Sequence, residues 1–197
     1  MPRVIVATGN RGKLAEIRSA LDLSGWEFVT APDLGSSTLD VEETGSTFEE
    51  NARLKAQAYH ETFGLPALAD DSGLEVDVLG AEPGVYSSRY AGLDATDADN
   101  NAKLLAALEG VPAGQRGARF RSVIVYIDAD GAETVVDGAC EGSIGFEAHG
   151  SGGFGYDPIF LPSQAPGRTM ADLGMAEKNA ISHRGAALRA LRGVLAE

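Results

Sequence analysis

The sequence contains a single cysteine, Cys140, so no disulfide can form within the chain. Disulfides are typical of oxidising compartments, and a chain without them has the cytoplasm as its expected location. No apolar run approaches the ~20 residues that a membrane-spanning helix needs. The apolar run near the N-terminus is too short for a secretory signal and predicts a first strand instead. We therefore expect a cytoplasmic protein with no membrane partner.

Positive charge is scarce, with 16 Lys and Arg against 29 Asp and Glu and a net charge of −13. Non-specific binding to a nucleic-acid backbone relies on a broad basic field, so we expect no nucleic-acid partner. A polyanionic ligand would have to be bound by a local cluster of cations together with a metal. The chain has only four lysines with which to build such a cluster: Lys13, Lys55, Lys103 and Lys178.

Length and composition are those of an ordinary globular protein. The 197 residues are 44% hydrophobic and 23% charged, which allows one sizeable core. No internal repeat, low-complexity tract or linker divides the chain. We predict a single domain over residues 1–197, with room for a smaller lobe.

The most unusual stretch is the acidic segment Asp70-Asp-Ser-Gly73. Leu68 and Ala69 before it predict the end of a buried strand, and the apolar residues after it alternate like a second strand. We therefore predict a turn that carries two adjacent carboxylates. Two neighbouring carboxylates repel unless a cation or proton neutralises part of the charge, and Mg²⁺ prefers such oxygens. Taken alone, such a segment is more often a solvated Asp-rich turn than a metal site.

A strand, a glycine-containing turn and a helix follow one another at the N-terminus. Val4-Ile-Val6 predicts a buried strand, and Leu14 and Ile17 recur at helical spacing. The turn between them, Thr8-Gly-Asn-Arg-Gly-Lys13, places backbone N–H groups where they can bind an anion. It is not a Walker A loop, and a turn of this kind is often only structural.

Several further elements are predicted from local signals. Trp26 to Thr30 predicts a strand, and Thr47 with Glu50 has the form of a capping box for a helix to about Thr62. Asn51 and Lys55 are four residues apart and share one face of that helix.

The second half of the chain predicts another helix and a pair of strands. Asp97 is predicted to cap a helix that ends before Gly110. Arg119 to Asp128 and Glu133 to Gly145 predict an antiparallel ribbon extending from the core sheet.

Two stretches near the C-terminus combine aromatic, basic and glycine residues. In Ser151-Gly-Gly-Phe-Gly-Tyr-Asp-Pro158, three glycines leave the backbone open to close approach around Phe154 and Tyr156. An aromatic in such a loop serves either as a core anchor or as a platform for stacking. Downstream, Lys178, His183 and Arg184 precede or open a C-terminal helix.

Taken in order, these stretches resemble the inosine triphosphate pyrophosphatase family, which hydrolyses non-standard purine nucleoside triphosphates. The ordered set is far more specific than any one motif, and it spans residues 7 to 185. The matching segments are Ala7-Thr-Gly-Asn-Arg-Gly-Lys13, Glu43-Thr-Gly45, Phe48-Glu-Glu-Asn-Ala52, Leu54-Lys-Ala56, Ala69-Asp-Asp-Ser-Gly73, Phe154-Gly-Tyr-Asp-Pro158 and Ser182-His-Arg-Gly185.

The resemblance implies an α/β fold with a long mixed β-sheet, flanking helices, and two lobes around a central nucleotide-binding cleft. It implies a homodimer and the reaction NTP + H₂O → NMP + pyrophosphate, with Mg²⁺ as cofactor. The implied substrates are ITP, dITP, XTP and dXTP.

The resemblance also implies roles for residues around the phosphates. Asp71 would orient or deprotonate the attacking water and contribute to metal binding. Glu43 would be the main metal ligand, with Asp70 helping directly or through water. The remaining residues implied to bind the triphosphate are Thr8, Gly9, Asn10, Arg11, Gly12, Lys13, Lys55 and Ser72.

Hypoxanthine and xanthine carry an oxygen at C6 where adenine carries an amino group, so a site of donors favours them. Lys178 and Arg184 are donors only, which suits this task, and His183 can add another donor. Phe154 would stack on the purine and Asp157 would accept from a ring N–H. Gly155 and Tyr156 complete the implied base-binding set.

Three alternatives remain at the level of sequence. A pyrophosphatase of similar architecture for pyrimidine or other modified nucleotides is disfavoured by Phe154 and the basic C-terminal set. A non-catalytic nucleotide-binding protein would be favoured if Asp70 or Asp71 were replaced, and both are present. A nucleic-acid-binding module is disfavoured by the net charge of −13.

Overall fold

The computed structural model of the chain describes residues 3–21 and 25–195, which contain a mixed six-stranded sheet with flanking helices. Strand β1 runs parallel to β2 and β3, whereas β5 and β6 are antiparallel. The order across the sheet is β2-β1-β3-β4-β5-β6. The predicted α/β class is therefore confirmed. The strands are β1 (Arg3–Val6), β2 (Glu27–Val29), β3 (Ala67–Val76), β4 (Gly117–Ile127), β5 (Glu133–Ile144) and β6 (Phe160–Pro162).

The helices are α1 (Arg11–Ala20), α2 (Phe48–Phe63), α3 (Asp97–Ala107), α4 (Met175–Ile181) and α5 (His183–Leu195). None of them is long and apolar enough to cross a membrane. The capping box at the start of α2 is confirmed, because Thr47 accepts from the Glu50 N–H while Glu50 binds back to the Thr47 backbone. The predicted cap of α3 is wrong by one residue. Thr96 is the N-cap and forms a capping box with Asp99, so Asp97 is the first helical residue.

The predicted turn at Asp70-Asp-Ser-Gly73 is wrong. Strand β3 continues without interruption from Ala67 to Val76 and includes all four of these residues. An extended strand points successive side chains to opposite faces, so it separates the two carboxylates that a turn would crowd together. Each carboxylate also has its own cations, described below, and the strand therefore needs no break to relieve repulsion.

The predicted pair of strands late in the chain is confirmed, but its place in the sheet differs from the prediction. Strands β4 and β5 are neighbours joined by a short connection, which only an antiparallel pair allows. They lie between β3 and β6, so they are inner strands of the sheet and not a ribbon extending from it.

The chain divides into two compact units. The first consists of Met1–Asp71, Ser122–Gly138 and Arg184–Glu197, and the second of Ser72–Arg121 and Ala139–His183. The prediction of one domain with two lobes stays a prediction. Each unit has its own hydrophobic core.

The first unit has apolar clusters on both faces of its strands. Alternation along β1 places Ile5 in the cluster that contains Ala52 and Ala56 of α2, and it places Val4 in the cluster that contains Ile17 of α1. The second cluster also includes the apolar face of α5. Strands covered on both faces in this way read as continuous apolar runs, as in Val4-Ile-Val6.

The second unit has one core. Leu104 and Leu108 at the end of α3 pack with Leu74 of β3, Phe120 of β4 and Phe160 of β6. This core supports the α3 helix, whose N-terminal turns contact the glycine loop described in the next section.

Candidate active site

Asp70 is a buried carboxylate surrounded by donors of the first unit. Its Oδ2 lies 2.7 Å from Nζ of Lys13 on α1 and 3.2 Å from Nη2 of Arg184 on α5. Ser122 of β4 donates its hydroxyl to Oδ1 at 2.5 Å. Burial by itself would raise the pKa of Asp70, but the charges of Arg184 and Lys13 outweigh it and hold that pKa well below its usual range. Asp70 is therefore ionised to a lower pH than an ordinary aspartate.

Arg184 connects this carboxylate to a second one. Its Nη1 donates to Glu16 of α1, and all three side chains are almost completely buried. Burial lowers the pKa of Arg184, but the two carboxylates more than compensate and raise it. One guanidinium thus holds Glu16 and Asp70, and it keeps α5 and α1 joined to β3.

Asp71 has a different environment. Its Oδ1 accepts from Nζ of Lys55 at 2.7 Å, and the same ammonium donates to Oε1 of Glu43 at 2.8 Å and to the Asp70 carbonyl at 3.1 Å. Burial raises the pKa of Asp71 more than Lys55 and Lys13 lower it. Burial also lowers the pKa of Lys55, but Asp71 and Glu43 raise it overall. Asp71 is therefore the more basic of the two adjacent carboxylates.

The N-terminal turn is built around the cap of α1. Asn10 is the N-cap, and its side chain accepts from the Lys13 N–H at 3.0 Å, while the Thr8 hydroxyl accepts from the Asn10 N–H at 3.1 Å. This brings Lys13 to the Asp70 carbonyl at 3.5 Å. Burial is the main reason why the pKa of Lys13 is lowered. Of the other predicted residues, Gly9 and Arg11 are exposed and Gly12 lies in α1.

Glu43 is held in place by the segment that follows it. The Gly45 N–H donates to Oδ1 of Asn51 at 2.8 Å, and Asn51 is fully buried on α2 one turn before Lys55. A Cβ on Gly45 would lie 2.6 Å from that same Oδ1, so only glycine fits here. Asn51 and Lys55 share one face of α2. Asn51 therefore binds the backbone that follows Glu43, and Lys55 binds the Glu43 carboxylate.

The donor set is compatible with a metal that arrives with a phosphate ligand. No group of three or more His, Cys, Asp or Glu is arranged as a complete metal site within residues 3–21 and 25–195. Mg²⁺ in proteins is usually held by one or two carboxylates plus substrate phosphates. Glu43 and Asp71 share one ammonium and fit that pattern. Asp70 already binds Lys13, Arg184 and Ser122, which leaves it fewer free lone pairs for a direct bond to a metal.

The second unit contains residues 151–158, which we call the glycine loop. Oδ2 of Asp157 accepts from the Phe154 N–H at 2.8 Å and from Nζ of Lys178 on α4 at 2.5 Å. The Lys178 ammonium also lies 4.6 Å from the centroid of the Phe154 ring. Gly153 has a φ of +72°, and a Cβ there would come within 2.0 Å of Oδ2 of Asp157. The glycine is required because the aspartate closes the loop.

The remaining predicted residues are Tyr156, His183 and Ser72, and all three belong to the second unit. The buried hydroxyl of Tyr156 donates to the Ser87 carbonyl at 2.8 Å, and burial raises the pKa of Tyr156. His183 is buried and stacks on Phe120 with ring centroids 4.8 Å apart. Ser72 follows Asp71 in β3. Of the predicted base-binding set, Arg184 belongs to the first unit, whereas Phe154, Gly155, Tyr156, Asp157, Lys178 and His183 belong to the second.

Sequence reasoning missed several residues that support these groups. Glu16 lies three residues after Lys13 on one helix face, but that spacing does not point to its partner Arg184 on α5. The sequence places Asn51 on the same helix face as Lys55, but it does not show the bond from Gly45 to Asn51. Asp97 and Asn101 of α3 bind Gly155 of the glycine loop, and nothing local in the sequence points to that contact. Ser122 in the middle of β4 gave no signal at all.

The chain is similar to known proteins over nearly its full length. The sequence profile of the Ham1 family matches residues 4–194. A dITP/XTP pyrophosphatase from Methylococcus capsulatus is 50% identical over 200 residues, covering 97% of this chain and 98% of that protein. A dITP/XTP pyrophosphatase from Escherichia coli (strain K12) is 51% identical over 198 residues, covering 99% and 98%.

The chain is also similar to solved structures. A HAM1 protein from Coxiella burnetii superposes with a TM-score of 0.88 at 46% identity, covering 100% of this chain and 99% of that one. A nucleoside-triphosphatase / dITP/XTP pyrophosphatase from Mycobacterium abscessus gives a TM-score of 0.75 at 45% identity, covering 96% and 97%. Matches of this identity and coverage show that the chain belongs to the Ham1 family.

Proposed function

We propose that this protein hydrolyses non-standard purine nucleoside triphosphates (ITP, dITP, XTP and dXTP) to the nucleoside monophosphate and pyrophosphate. The observation that carries the proposal is the arrangement of Asp71, Lys55 and Glu43. A carboxylate with a raised pKa shares one ammonium with a second carboxylate, in a chain whose relatives are named dITP/XTP pyrophosphatases. Perturbed carboxylates beside cations are typical of catalytic sites.

In the proposed reaction Asp71 orients the attacking water and accepts its proton. A general base must have a pKa high enough to accept a proton. It must also be ionised at the working pH. Burial raises the pKa of Asp71, and the ion pair with Lys55 favours its ionised form. The water then attacks the α-phosphorus, the α–β bridging bond breaks, and pyrophosphate leaves.

The phosphates would be bound by the cations that now hold the carboxylates. Lys13 and Lys55 both contact the Asp70 carbonyl, so two of the four lysines lie at one point of β3. Thr8 and Asn10 would add hydrogen bonds from the turn before α1, and Ser72 a hydroxyl from β3. Asp70, whose pKa is lowered, fixes Lys13 and Arg184 and competes little for the proton that Asp71 accepts.

We propose that Mg²⁺ is held by Glu43 and Asp71 together with the substrate phosphates, with Asp70 acting directly or through water. When bound, the ion neutralises the leaving pyrophosphate and polarises the phosphorus that is attacked. The chain's own part is to hold the two carboxylates in place. Lys55 binds both of them, and the Asn51 contact to Gly45 fixes the backbone that follows Glu43.

The base is proposed to bind at the glycine loop. Phe154 offers a ring for stacking, and Lys178 and His183 offer donors that suit O6 of hypoxanthine or xanthine. Asp157 can accept from a ring N–H while it holds Lys178. Arg184, as the resemblance implies, would add a donor at O6.

The function is tested by measuring pyrophosphate and orthophosphate released from ITP, dITP, XTP, ATP and GTP with Mg²⁺ under matched conditions. We expect pyrophosphate and the monophosphate as primary products, with ITP and XTP preferred over ATP and GTP. IDP and orthophosphate would overturn the proposed bond cleavage. Equal rates for all five nucleotides would overturn the proposed selectivity. Activity should be lost in EDTA and return with Mg²⁺.

We also propose that the protein is a homodimer and acts in the cytoplasm, as its resemblance and its single cysteine imply. Light scattering coupled to gel filtration would measure the mass directly against the 20.5 kDa of one chain. A mass of one chain at micromolar concentration would rule out a stable dimer.

A further inference from the structure

Helix α3 holds the glycine loop by one residue. Oδ2 of Asp97 accepts from the Gly155 N–H at 2.7 Å, and Nδ2 of Asn101 donates to the Gly155 carbonyl at 2.9 Å. Asp97 and Asn101 are four residues apart and therefore share one helix face. Both backbone groups of Gly155 are thus bound by neighbouring side chains of a single helix.

This contact lies beside the aromatic residue of the loop. Gly155 directly follows Phe154, whose N–H is bound by Asp157 and whose ring contacts Lys178. Tyr156 on the other side is anchored through its hydroxyl to Ser87. Three consecutive residues are therefore fixed by three separate anchors, and the middle anchor comes from α3.

The orientation of the Asn101 amide is set by this contact. Because the Gly155 carbonyl needs a donor, Nδ2 must face it and Oδ1 must face away. Asn101 is more than nine-tenths buried, and its Oδ1 has no hydrogen-bond partner in the part of the chain that the structure describes. A buried acceptor of this kind lowers stability. An apolar core residue would avoid that loss, so packing alone does not account for an asparagine here.

We infer that Asp97 and Asn101 are positioning residues for base recognition, which hold Phe154 in its stacking position through the backbone of Gly155. The inference rests on the proposed function, because it takes Phe154 as the residue that stacks on the purine. Asp97 and Asn101 act through Gly155 and are not proposed to touch the base or the phosphates. Their effect should therefore appear in the binding of ligands that carry a base and not in the binding of pyrophosphate.

The test compares Asn101→Ala and Asp97→Ala with wild type by calorimetric binding of IMP and of pyrophosphate, each with Mg²⁺. Losing one hydrogen bond to Gly155 should raise the Kd for IMP and the KM for ITP by about 3- to 10-fold. The Kd for pyrophosphate should not change, and kcat should fall less than kcat/KM. Asp97→Asn keeps an acceptor oxygen and should restore most of the IMP affinity.

The matched control is Asn100→Ala. Asn100 is a buried asparagine on the same helix that also binds two backbone groups, the Ala91 N–H and the Ser88 carbonyl, both outside the glycine loop. It should keep the wild-type affinity for IMP, because neither backbone group that Asn100 binds belongs to the glycine loop. Equal losses of IMP affinity in both variants would overturn the inference, as would an equal loss of pyrophosphate affinity in Asn101→Ala.

The result also separates this inference from the proposed function. Wild-type protein that binds IMP but releases no pyrophosphate from ITP would refute the function and leave the positioning role intact. Wild-type protein that hydrolyses ITP, with unchanged IMP binding in Asn101→Ala and Asp97→Ala, would refute the positioning role alone.

Discussion

Asp70 and Asp71 are adjacent in sequence, yet their carboxylates lie on opposite faces of β3. Asp70 contacts Lys13 of α1 and Arg184 of α5, whose helices pack on one face of the strands, and Asp71 contacts Lys55 of α2, which packs on the other. The alternation of a β-strand produces this separation. Asp70 and Asp71 are therefore paired with different cations.

The two environments move the two pKa values in opposite directions. Arg184 and Lys13 overcome burial and lower the pKa of Asp70, whereas burial dominates and raises the pKa of Asp71. Pairs of titratable groups whose pKa values are pushed apart commonly divide the acid–base roles of a site. Here Asp70 is suited to fixing cations and Asp71 to accepting a proton.

Replacing Asp71 by asparagine should abolish most of the turnover while the protein stays folded. The amide keeps the size of the side chain but cannot accept a proton, so kcat for ITP should fall about 10²–10⁴-fold, or roughly 3–5 kcal/mol of barrier. Burial opposes the ionisation of Asp71, but its charge also stabilises the buried Lys55, so the two contributions to the free energy of unfolding oppose each other and the net change should be small. Steady-state kinetics and urea unfolding measure the two effects separately.

Asp130→Asn, in the exposed turn between β4 and β5, is the control for loss of one negative charge. It should have wild-type kcat. Near-normal turnover by Asp71→Asn would show that another group activates the water.

The rate should depend on pH through Asp71. The carboxylate accepts a proton only when ionised, and its pKa lies above its ordinary value of 3.8. At saturating Mg²⁺, kcat/KM for ITP should therefore rise as the pH increases through that raised pKa and stay high at neutral pH. The residual activity of Asp71→Asn should lack this acid limb. A wild-type rate that peaks near pH 5 and declines above it would point to a protonated acid instead.

Stability should depend on pH through Asp70, whose pKa is shifted in the opposite direction from that of Asp71. Its folded-state pKa lies below the ordinary 3.8, so the ionised form contributes stability above that pH and loses it as the pH falls through the lowered value. Asp70→Asn should thus unfold at lower urea than wild type at neutral pH. The difference should shrink as the pH is lowered below about 4, where Asp70 of the unfolded chain takes up a proton that the folded state does not yet bind. A difference that is constant from pH 7 to pH 3 would contradict the assigned ion pairs.

The sequence predicted most of the elements because their signals are local. The capping box at Thr47, the apolar alternation of β4 and β5 and the glycine turn before α1 all depend on residues close in the chain. The break in β3 was predicted wrongly for the same reason. Local sequence shows two adjacent acids and a glycine, but not the three cations that neutralise the acids from α1, α2 and α5.

The supporting residues of the site depend on long-range pairing and could not be predicted in the same way. Glu16 and Arg184 are 168 residues apart, Ser122 and Asp70 are 52 apart, and Asn101 and Gly155 are 54 apart. The family resemblance supplied Asp71, Lys55 and Glu43 because it transfers whole motifs. It supplied nothing about Asp97 or Asn101, which lie outside those motifs.

Arg184 is almost completely buried. Its replacement should therefore lower the free energy of unfolding, whatever Arg184 does for the substrate. Arg184→Ala leaves Glu16 and Asp70 buried without their shared cation, and breaking a buried pair in this way typically costs about 3–5 kcal/mol. Arg18→Ala removes an exposed arginine that pairs with Asp33, and solvent screening makes the expected loss of stability small. Urea unfolding of the two variants should differ accordingly, and similar losses would contradict the buried network.

The same variant tests the contact with the base that the resemblance implies. A donor at O6 favours ITP over ATP, so its removal should lower kcat/KM for ITP more than for ATP and narrow the preference between them. Loss of the support to Asp70 acts on both nucleotides alike and lowers both values together. The ratio of the two kcat/KM values therefore isolates the contribution of the base, since the shared loss cancels. An unchanged ratio would limit Arg184 to holding Asp70 and Glu16, and selectivity would then have to come from the glycine loop and Lys178.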